Sequence, residues 1–179
     1  GAVEVQDEGS QLVALLDAAQ PGMQVLDLCA GGGGKTLALA AEMNNTGQIF
    51  ATDNDARRLM NIHERLERAG VRNVQVRTPT ARAPKTEGLK SKIDLVLVDA
   101  PCTGTGTWRR NPDAKWRMRP GSLEQRVLEQ TVVLDLASPN VKPGGRLVYI
   151  TCSLLDEENG EPVSAFLARH KNFAVVPPA

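Results

Sequence analysis

The sequence predicts an α/β fold, a mostly parallel sheet with helices on both faces. Three observations carry this. Short apolar runs alternate with longer amphipathic segments, a tetraglycine turn joins the first apolar run to a helical one, and Ile93–Val98 is apolar throughout, as in a central strand covered on both faces. The 179 residues fit one domain.

The elements follow in order. Gln24–Ala30 reads as a strand ending in four glycines, and Lys35–Met43 has helical composition. Gln48–Thr52 is a second strand. In Asp55–Ala69, Leu59, Ile62, Leu66 and Ala69 recur at helical spacing, and Gly70 provides the stop. Asn73–Arg77 is a short third strand, and Thr78–Lys92 is irregular and reads as a mobile connection. Ser122 is placed to cap a long helix running to about Ala137, Arg146–Thr151 is a further apolar strand, and Pro162–His170 is a last helix with proline near its first turn. No internal repeat or low-complexity tract interrupts this order.

Composition excludes several classes. Hydrophobic residues make up 41% and charged residues 23%, which is globular, and no apolar run approaches the roughly 20 residues that span a bilayer. No signal-peptide pattern opens the chain. The three cysteines are an odd, dispersed set without Cys-x-x-Cys, which favours a reducing, cytoplasmic setting over a disulfide framework or a cysteine zinc site. His63 and His170 lack metal-ligand partners in the sequence, so no metal is expected, and the Arg57–Arg68 charges read as an exposed helix face. Lys+Arg and Asp+Glu balance at 21 each, so attraction to nucleic acid has to come from a local patch. Trp108–Arg119 is such a patch: Arg109, Arg110, Lys115, Arg117 and Arg119 stand against one acid, with Trp108 and Trp116 interleaved. Guanidinium groups pair with phosphates and indoles stack on unpaired bases, so these seven residues are the RNA-binding candidates; the alternative is a solvated loop anchored by its tryptophans.

The turn Asp27-Leu28-Cys29-Ala30-Gly31-Gly32-Gly33-Gly34-Lys35-Thr36 leaves a strand and enters a helix, and Asp53 closes the next strand, where a carboxylate accepts from ribose hydroxyls. A dinucleotide, a nucleoside triphosphate and S-adenosylmethionine all use this arrangement. The pattern Gly-x-Gly-x-x-Gly from Gly31 fails at Thr36. The phosphate-loop pattern fails only at its first position, Cys29, so a P-loop NTPase with Asp99 on its acidic strand stays a rival. Cys102 and Cys152 each follow an apolar strand, and in a parallel sheet both fall on the edge that carries the glycine turn.

Val5–Ser10, Asp27–Ala30 with Gly33–Thr36, Asp99-Ala100-Pro101-Cys102-Thr103-Gly104-Thr105-Gly106, Arg110–Asp113, Lys142–Gly145, and Thr151-Cys152-Ser153 followed by Glu157-Glu158-Asn159 resemble the signature blocks of the Sun (RsmB-like) RNA cytosine-5 methyltransferases, in the family's order, from about Val5 to Phe173. The resemblance implies a Rossmann-like class I methyltransferase fold and S-adenosylmethionine as cofactor. It implies an RNA substrate, with ribosomal RNA favoured and transfer RNA the alternative, and a target cytosine that is single-stranded or flipped; a monomer is expected. It places Cys29, Ala30, Gly31, Gly32, Gly33, Gly34, Lys35, Asp53, Asn54, Arg58, Thr80, Asp99 and Pro101 around the cofactor. It makes Cys152 the nucleophile that adds to cytosine carbon 6 and Cys102 the residue that assists release, with Asp99 on the N3/N4 edge of the base and Lys35 supporting the site near Gln6-Asp7. In DNA cytosine methyltransferases a Pro-Cys block supplies the attacker, so Cys102 is the alternative nucleophile. A fold kept as a non-catalytic RNA-binding scaffold is the remaining rival.

The chain departs from the family at three places. Gly31-Gly32 replaces the usual Ala-Pro, which makes the loop more flexible without removing its N–H donors. Thr80 stands roughly where an Asp contacts the adenine. The sequence closes at Pro177-Pro178-Ala179, before a terminal strand pair, and no RNA-binding domain precedes it, so a catalytic core with an incomplete sheet edge is expected.

Overall fold

The computed structural model describes residues 3–80 and 83–176. Five strands, β1 (Gln24–Asp27), β2 (Gln48–Ala51), β3 (Val74–Val76), β4 (Ile93–Asp99) and β5 (Val141–Ile150), form one sheet in the order β3-β2-β1-β4-β5. β1 runs parallel to both β2 and β4, and β2 parallel to β3. Chain order reverses direction across the sheet at β1, which creates the crevice at the carboxyl ends of β1 and β4 where ligands bind in such sheets. Pro177-Pro178-Ala179 lies outside the described residues. The helices are α1 (Glu8–Leu16), α2 (Gly34–Glu42), α3 (Ala56–Met60), α4 (Ile62–Arg68), α5 (Ala114–Arg117), α6 (Ser122–Ala137) and α7 (Gly160–Arg169).

The described residues cluster into two compact units, 3–80 and 83–99 with 137–148, and 100–136 with 149–176. In the first, Ile93, Leu95, Val96, Leu97 and Val98 of β4 and Val25 and Leu26 of β1 are at most 1% exposed. Burial of each such side chain contributes about 1.5–3 kcal/mol. Ala30, Leu37, Ala51, Leu59, Ile62 and Leu66 form a core cluster, against which Val71, Val74 and Val76 pack. In the second unit, Phe166 is 4% exposed and stacks on His170 with ring centroids 4.3 Å apart. Asp135 accepts from His170 Nε2 at 2.8 Å and from Arg169 at 3.0 Å.

Four expectations are corrected. The helix over Asp55–Ala69 is two helices, with Asp55 as the cap, accepting from the N–H groups of Arg57 and Arg58 at 2.8 and 3.3 Å, rather than as a helical residue. Asn61 separates them at φ −67°, ψ −13°, so the hydrogen-bond ladder is interrupted while the backbone stays helical. Ser122 does not cap α6: its Oγ accepts from Arg119 N at 3.0 Å, turning back on the preceding loop, and Gly121 O takes the first helical bond, from Gln125 N. The strand expected over Gln24–Ala30 ends at Asp27. The last strand starts at Val141 rather than Arg146, running through Pro143-Gly144-Gly145. A Cβ at Gly145 would lie 2.9 Å from Ile93 O and 3.0 Å from Asp94 O, so glycine there permits two backbones to approach. Gly70 stops α4 as expected. It sits at φ +66°, its N–H bonds Glu67 O at 3.0 Å, and Val71 N bonds Leu66 O at 3.0 Å, a Schellman closure.

Candidate active site

The glycine turn is built by its neighbours. Ala30 N donates to Thr52 O at 3.0 Å and Gly31 N to Asp53 Oδ2 at 2.8 Å, which ties the exit of β1 to the exit of β2. Arg65 Nη1 donates to Gly32 O at 2.5 Å, and Glu4 holds Arg65 and Arg68 in turn. A Cβ at Gly31, which sits at φ +52°, would lie 3.1 Å from Arg58 Nη2, so that guanidinium borders the turn. The loop that the sequence presents as flexible is thus held on both sides. Gly33, at φ +83°, precedes α2, and a Cβ there would lie only 2.4 Å from Ile62 Cγ1. Gly33→Ala therefore combines left-handed strain of about 1–2 kcal/mol with overpacking of about 1–3 kcal/mol. Chemical denaturation is expected to show a loss of about 2–5 kcal/mol in unfolding free energy, and an unchanged midpoint refutes the close packing of the turn on α4.

Behind the turn lies a cluster of acids around one lysine. Lys35 Nζ bonds Asp99 Oδ2 at 2.6 Å, and Thr36 Oγ1 donates to Asp27 Oδ2 at 2.6 Å. Asp27 and Asp17 are each 1% exposed, and Asp27 Oδ1 and both carboxylate oxygens of Asp17 are buried without a partner. Burial pushes the pKa of Asp17, reinforced by the charge of Asp27, up to about 7. Burial does the same to Asp27, to about 7, against the Thr36 hydrogen bond that favours its anion. Burial also pushes the Cys29 thiol far above its ordinary range, so Cys29 is a neutral packing group. Asp53 is 2% exposed; its two oxygens accept from the N–H groups of Gly31 and Asp55 at 2.8 and 2.9 Å, and each keeps a further lone pair. Asn54 and Arg58 are exposed, and exposed Thr80 forms an isolated bridge with Ala83.

In the second unit, the segments carrying Cys102 and Cys152 lie side by side. Ala100 N donates to Ile150 O at 2.8 Å, Gly106 N to Cys152 O at 2.9 Å, and Leu154 N to Thr105 Oγ1 at 2.8 Å. The two Sγ atoms are 3.3 Å apart, Cys102 partly buried and Cys152 exposed. The hydrogen bond from the Cys152 thiol holds the pKa of Cys102 down to about 7, helped by the N–H groups of Cys152 and Gly104 and opposed by burial and by the Glu158 charge. The two thiols are thus hydrogen-bonded to each other. Pro101 is partly buried.

The basic stretch divides its tryptophans. Trp108 is partly buried with its Nε1 sealed from solvent, whereas Trp116 is 80% exposed with Lys115 Nζ 4.9 Å from its ring centroid. Arg117 pairs with Asp113, and Arg109, Arg110, Lys115, Arg117 and Arg119 are exposed.

Sequence reasoning gave no role to Glu158, a carboxylate with 0% exposure, or to Asp17. The signal for Glu158 was its place in the block after Cys152; Asp17 had none, being one polar residue at the end of an amphipathic helix.

A parallel sheet in this order, with a glycine turn after β1 and an acid after β2, defines the Rossmann-like methyltransferase fold. Residues 13–178 match the family described as 16S rRNA methyltransferase RsmB/F, and the chain belongs to that family. It is 41% identical over 169 residues to ribosomal RNA small subunit methyltransferase B of Cronobacter sakazakii, covering 94% of this chain and 39% of the relative. It is 43% identical over 171 residues to the protein of the same name from Yersinia pseudotuberculosis, covering 95% and 39%. Among solved structures, NSun6 from Pyrococcus horikoshii with SFG superposes with a TM-score of 0.81 at 32% identity, over 92% of this chain and 41% of that one. The chain thus spans about two fifths of the length of these relatives.

Proposed function

We propose that this chain is the catalytic domain of an S-adenosylmethionine-dependent RNA methyltransferase that makes 5-methylcytosine in ribosomal RNA through a covalent cysteine adduct. The observation that carries the reading is the pair of thiols 3.3 Å apart in a chain of the RsmB/F family. Family membership supports the ribosomal substrate, and the NSun6 relative, solved with the S-adenosylmethionine analogue SFG, supports the cofactor.

The donor set at the turn fits that cofactor. Asp53 keeps lone pairs for ribose hydroxyls, Asn54 and Arg58 are exposed beside it, and the turn from Cys29 through Gly34 presents backbone rather than side chains. Bound there, S-adenosylmethionine supplies an electrophilic methyl group. Thr80 and Pro101 complete the proposed cofactor group. Lys35 and Thr36, which a P-loop NTPase aims at phosphate and magnesium, are committed to Asp99 and Asp27, which weighs against that rival.

The cysteines divide the remaining chemistry. Cys152 gives its proton to the Cys102 thiolate across 3.3 Å and adds as thiolate to cytosine carbon 6, which makes carbon 5 nucleophilic. Asp99, polarised by Lys35, accepts from the N4 amino group of the base. After methylation, carbon 5 carries a hydrogen as well as the methyl. Cys102, having lost its proton to solvent, takes that hydrogen as a proton; the C–H electrons re-form the 5,6 double bond and the carbon–sulfur bond breaks, returning Cys152 as thiolate. Trp116 and the cations of Arg109–Arg119 supply stacking and phosphate contacts for an unpaired RNA segment.

The test is methyl transfer from labelled S-adenosylmethionine to a 16S rRNA transcript, followed by nucleoside analysis. Label in 5-methylcytidine is expected. Label in another nucleoside, or RNA binding without transfer, overturns the reading, and the second result favours a scaffold.

A further inference from the structure

Glu158 and Asn159 are consecutive, yet they hold opposite partners. Glu158 is fully buried; its Oε1 accepts from Thr103 N at 2.8 Å and from Gln130 Nε2 at 3.1 Å, and its Oε2 accepts from Thr103 Oγ1. Gln130, itself 0% exposed, extends the grip by donating to Pro101 O at 2.9 Å. Cys102 is therefore bracketed, with residues 101 and 103 both tied to one carboxylate system. Asn159 does the same for the other thiol. Its Oδ1 accepts from Thr151 Oγ1 at 2.6 Å, and its Nδ2 donates to Ser153 O at 3.1 Å and Leu155 O at 2.9 Å. Residues 151 and 153 bracket Cys152. Tyr149 OH donates to Glu158 O at 2.7 Å and fixes the clasp to the end of β5.

A buried carboxylate is costly unless hydrogen-bonded, and this one is spent on a loop rather than on a cation. It also acts against the neighbouring sulfur, since its charge opposes the lowering of the Cys102 pKa. An electrostatic role in making thiolate is thus the wrong sign, whereas a geometric role fits every bond.

We infer that Glu158 and Asn159 are positioning residues that clamp the segments flanking Cys102 and Cys152, so that the two sulfurs stay within proton-transfer distance. The catalytic meaning of the clamp rests on the proposed cytosine chemistry; the clamp itself does not.

The probe is phenylarsine oxide, whose trivalent arsenic bridges two adjacent thiols: two S–H bonds and one As=O bond are exchanged for two As–S bonds and water, with no change of oxidation state. Its affinity for the full chain reports how well the sulfur pair is preorganised. Wild type and Glu158→Gln are expected to bind within twofold of each other, because glutamine keeps Oε1 for Thr103 N–H and offers its amide to Thr103 Oγ1. Glu158→Ala and Asn159→Ala are expected to bind at least tenfold more weakly. Wild-type affinity in either alanine variant, or a glutamine variant as weak as alanine, overturns the inference. Should Glu158→Ala fail to melt cooperatively, Asn159→Ala decides by the same tenfold criterion. A clamp that passes in a protein making no 5-methylcytosine refutes the functional reading alone; a clamp that fails in an active enzyme refutes the inference alone.

Discussion

Cys102→Ser is expected to accumulate an RNA-linked form of the protein that survives denaturation, whereas Cys152→Ser forms none. The asymmetry follows from where the proposed mechanism has each thiol act. In the proposed mechanism Cys152 makes the bond to carbon 6, so its loss removes the adduct and lowers methyl transfer by about three orders of magnitude or more, the scale on which loss of a covalent nucleophile acts. In that mechanism Cys102 acts a second time after the methyl has arrived; without it the proton on carbon 5 has no base and elimination slows by about 10²–10⁴, so the adduct accumulates although it forms more slowly. The pair geometry sharpens the expectation. The hydrogen bond from the Cys152 thiol lowers the pKa of Cys102 to about 7. Low pKa alone nominates Cys102 as the attacker, as in the Pro-Cys block of DNA methyltransferases. The hydrogen bond between the thiols gives the other solution, in which a Cys102 thiolate is the base that deprotonates Cys152. Denaturing gels of each variant with RNA and S-adenosylmethionine separate the two, and an adduct in Cys152→Ser with none in Cys102→Ser exchanges the roles.

Elements whose logic is local were legible in the sequence. β1, its glycine turn and α2 follow from an apolar run, four glycines and a helical run, and the Gly70 stop of α4 follows from the residue alone. What escaped depends on partners distant in sequence. β5 begins five residues earlier than its apolar run because Lys142 pairs with Asp94 and because Gly145 lets the backbone approach Ile93 O and Asp94 O. Proline and glycine read locally as strand breakers, and only the neighbouring strand reverses that reading. Asn61 breaks the hydrogen-bond ladder without leaving helical dihedrals, so periodicity passes straight through it. At the candidate site, both cysteines were singled out because each follows an apolar strand. Glu158 was not assigned a role because its partners, Thr103 and Gln130, lie 55 and 28 residues away.

Asp17→Asn is expected to stabilise the protein above neutral pH and to flatten its stability between pH 4 and 7. The sign comes from linkage. The Asp17 carboxyl is raised from 3.8 to about 7 by burial and by the charge of Asp27, so between those values the folded chain holds a proton that the unfolded chain has released. Stability is then fully present below pH 4 and falls as pH rises, until above pH 7 both states are ionised and the whole cost is borne. Asp27, also raised to about 7, adds in the same direction. Glu4, Asp94 and Asp135 are lowered by their cation partners or hydrogen bonds, and they act below this window, losing stability as pH falls through the ordinary carboxylate range. A shift of this size corresponds to about 4 kcal/mol at most for Asp17, and the buried amide of asparagine offsets part of it, leaving a gain of about 1–3 kcal/mol at pH 8. The substitution spares the local fold, because Arg146 bonds the main-chain oxygens of Asp17 and Ala18, at 3.0 and 2.9 Å, rather than the carboxylate. Urea titrations of both proteins at pH 5 and pH 8 measure the effect. A variant less stable than wild type by the same amount at both pH values means that Asp17 is ionised throughout and balanced by Lys35 and Arg146, and the account of a buried acid titrating near neutrality is then wrong.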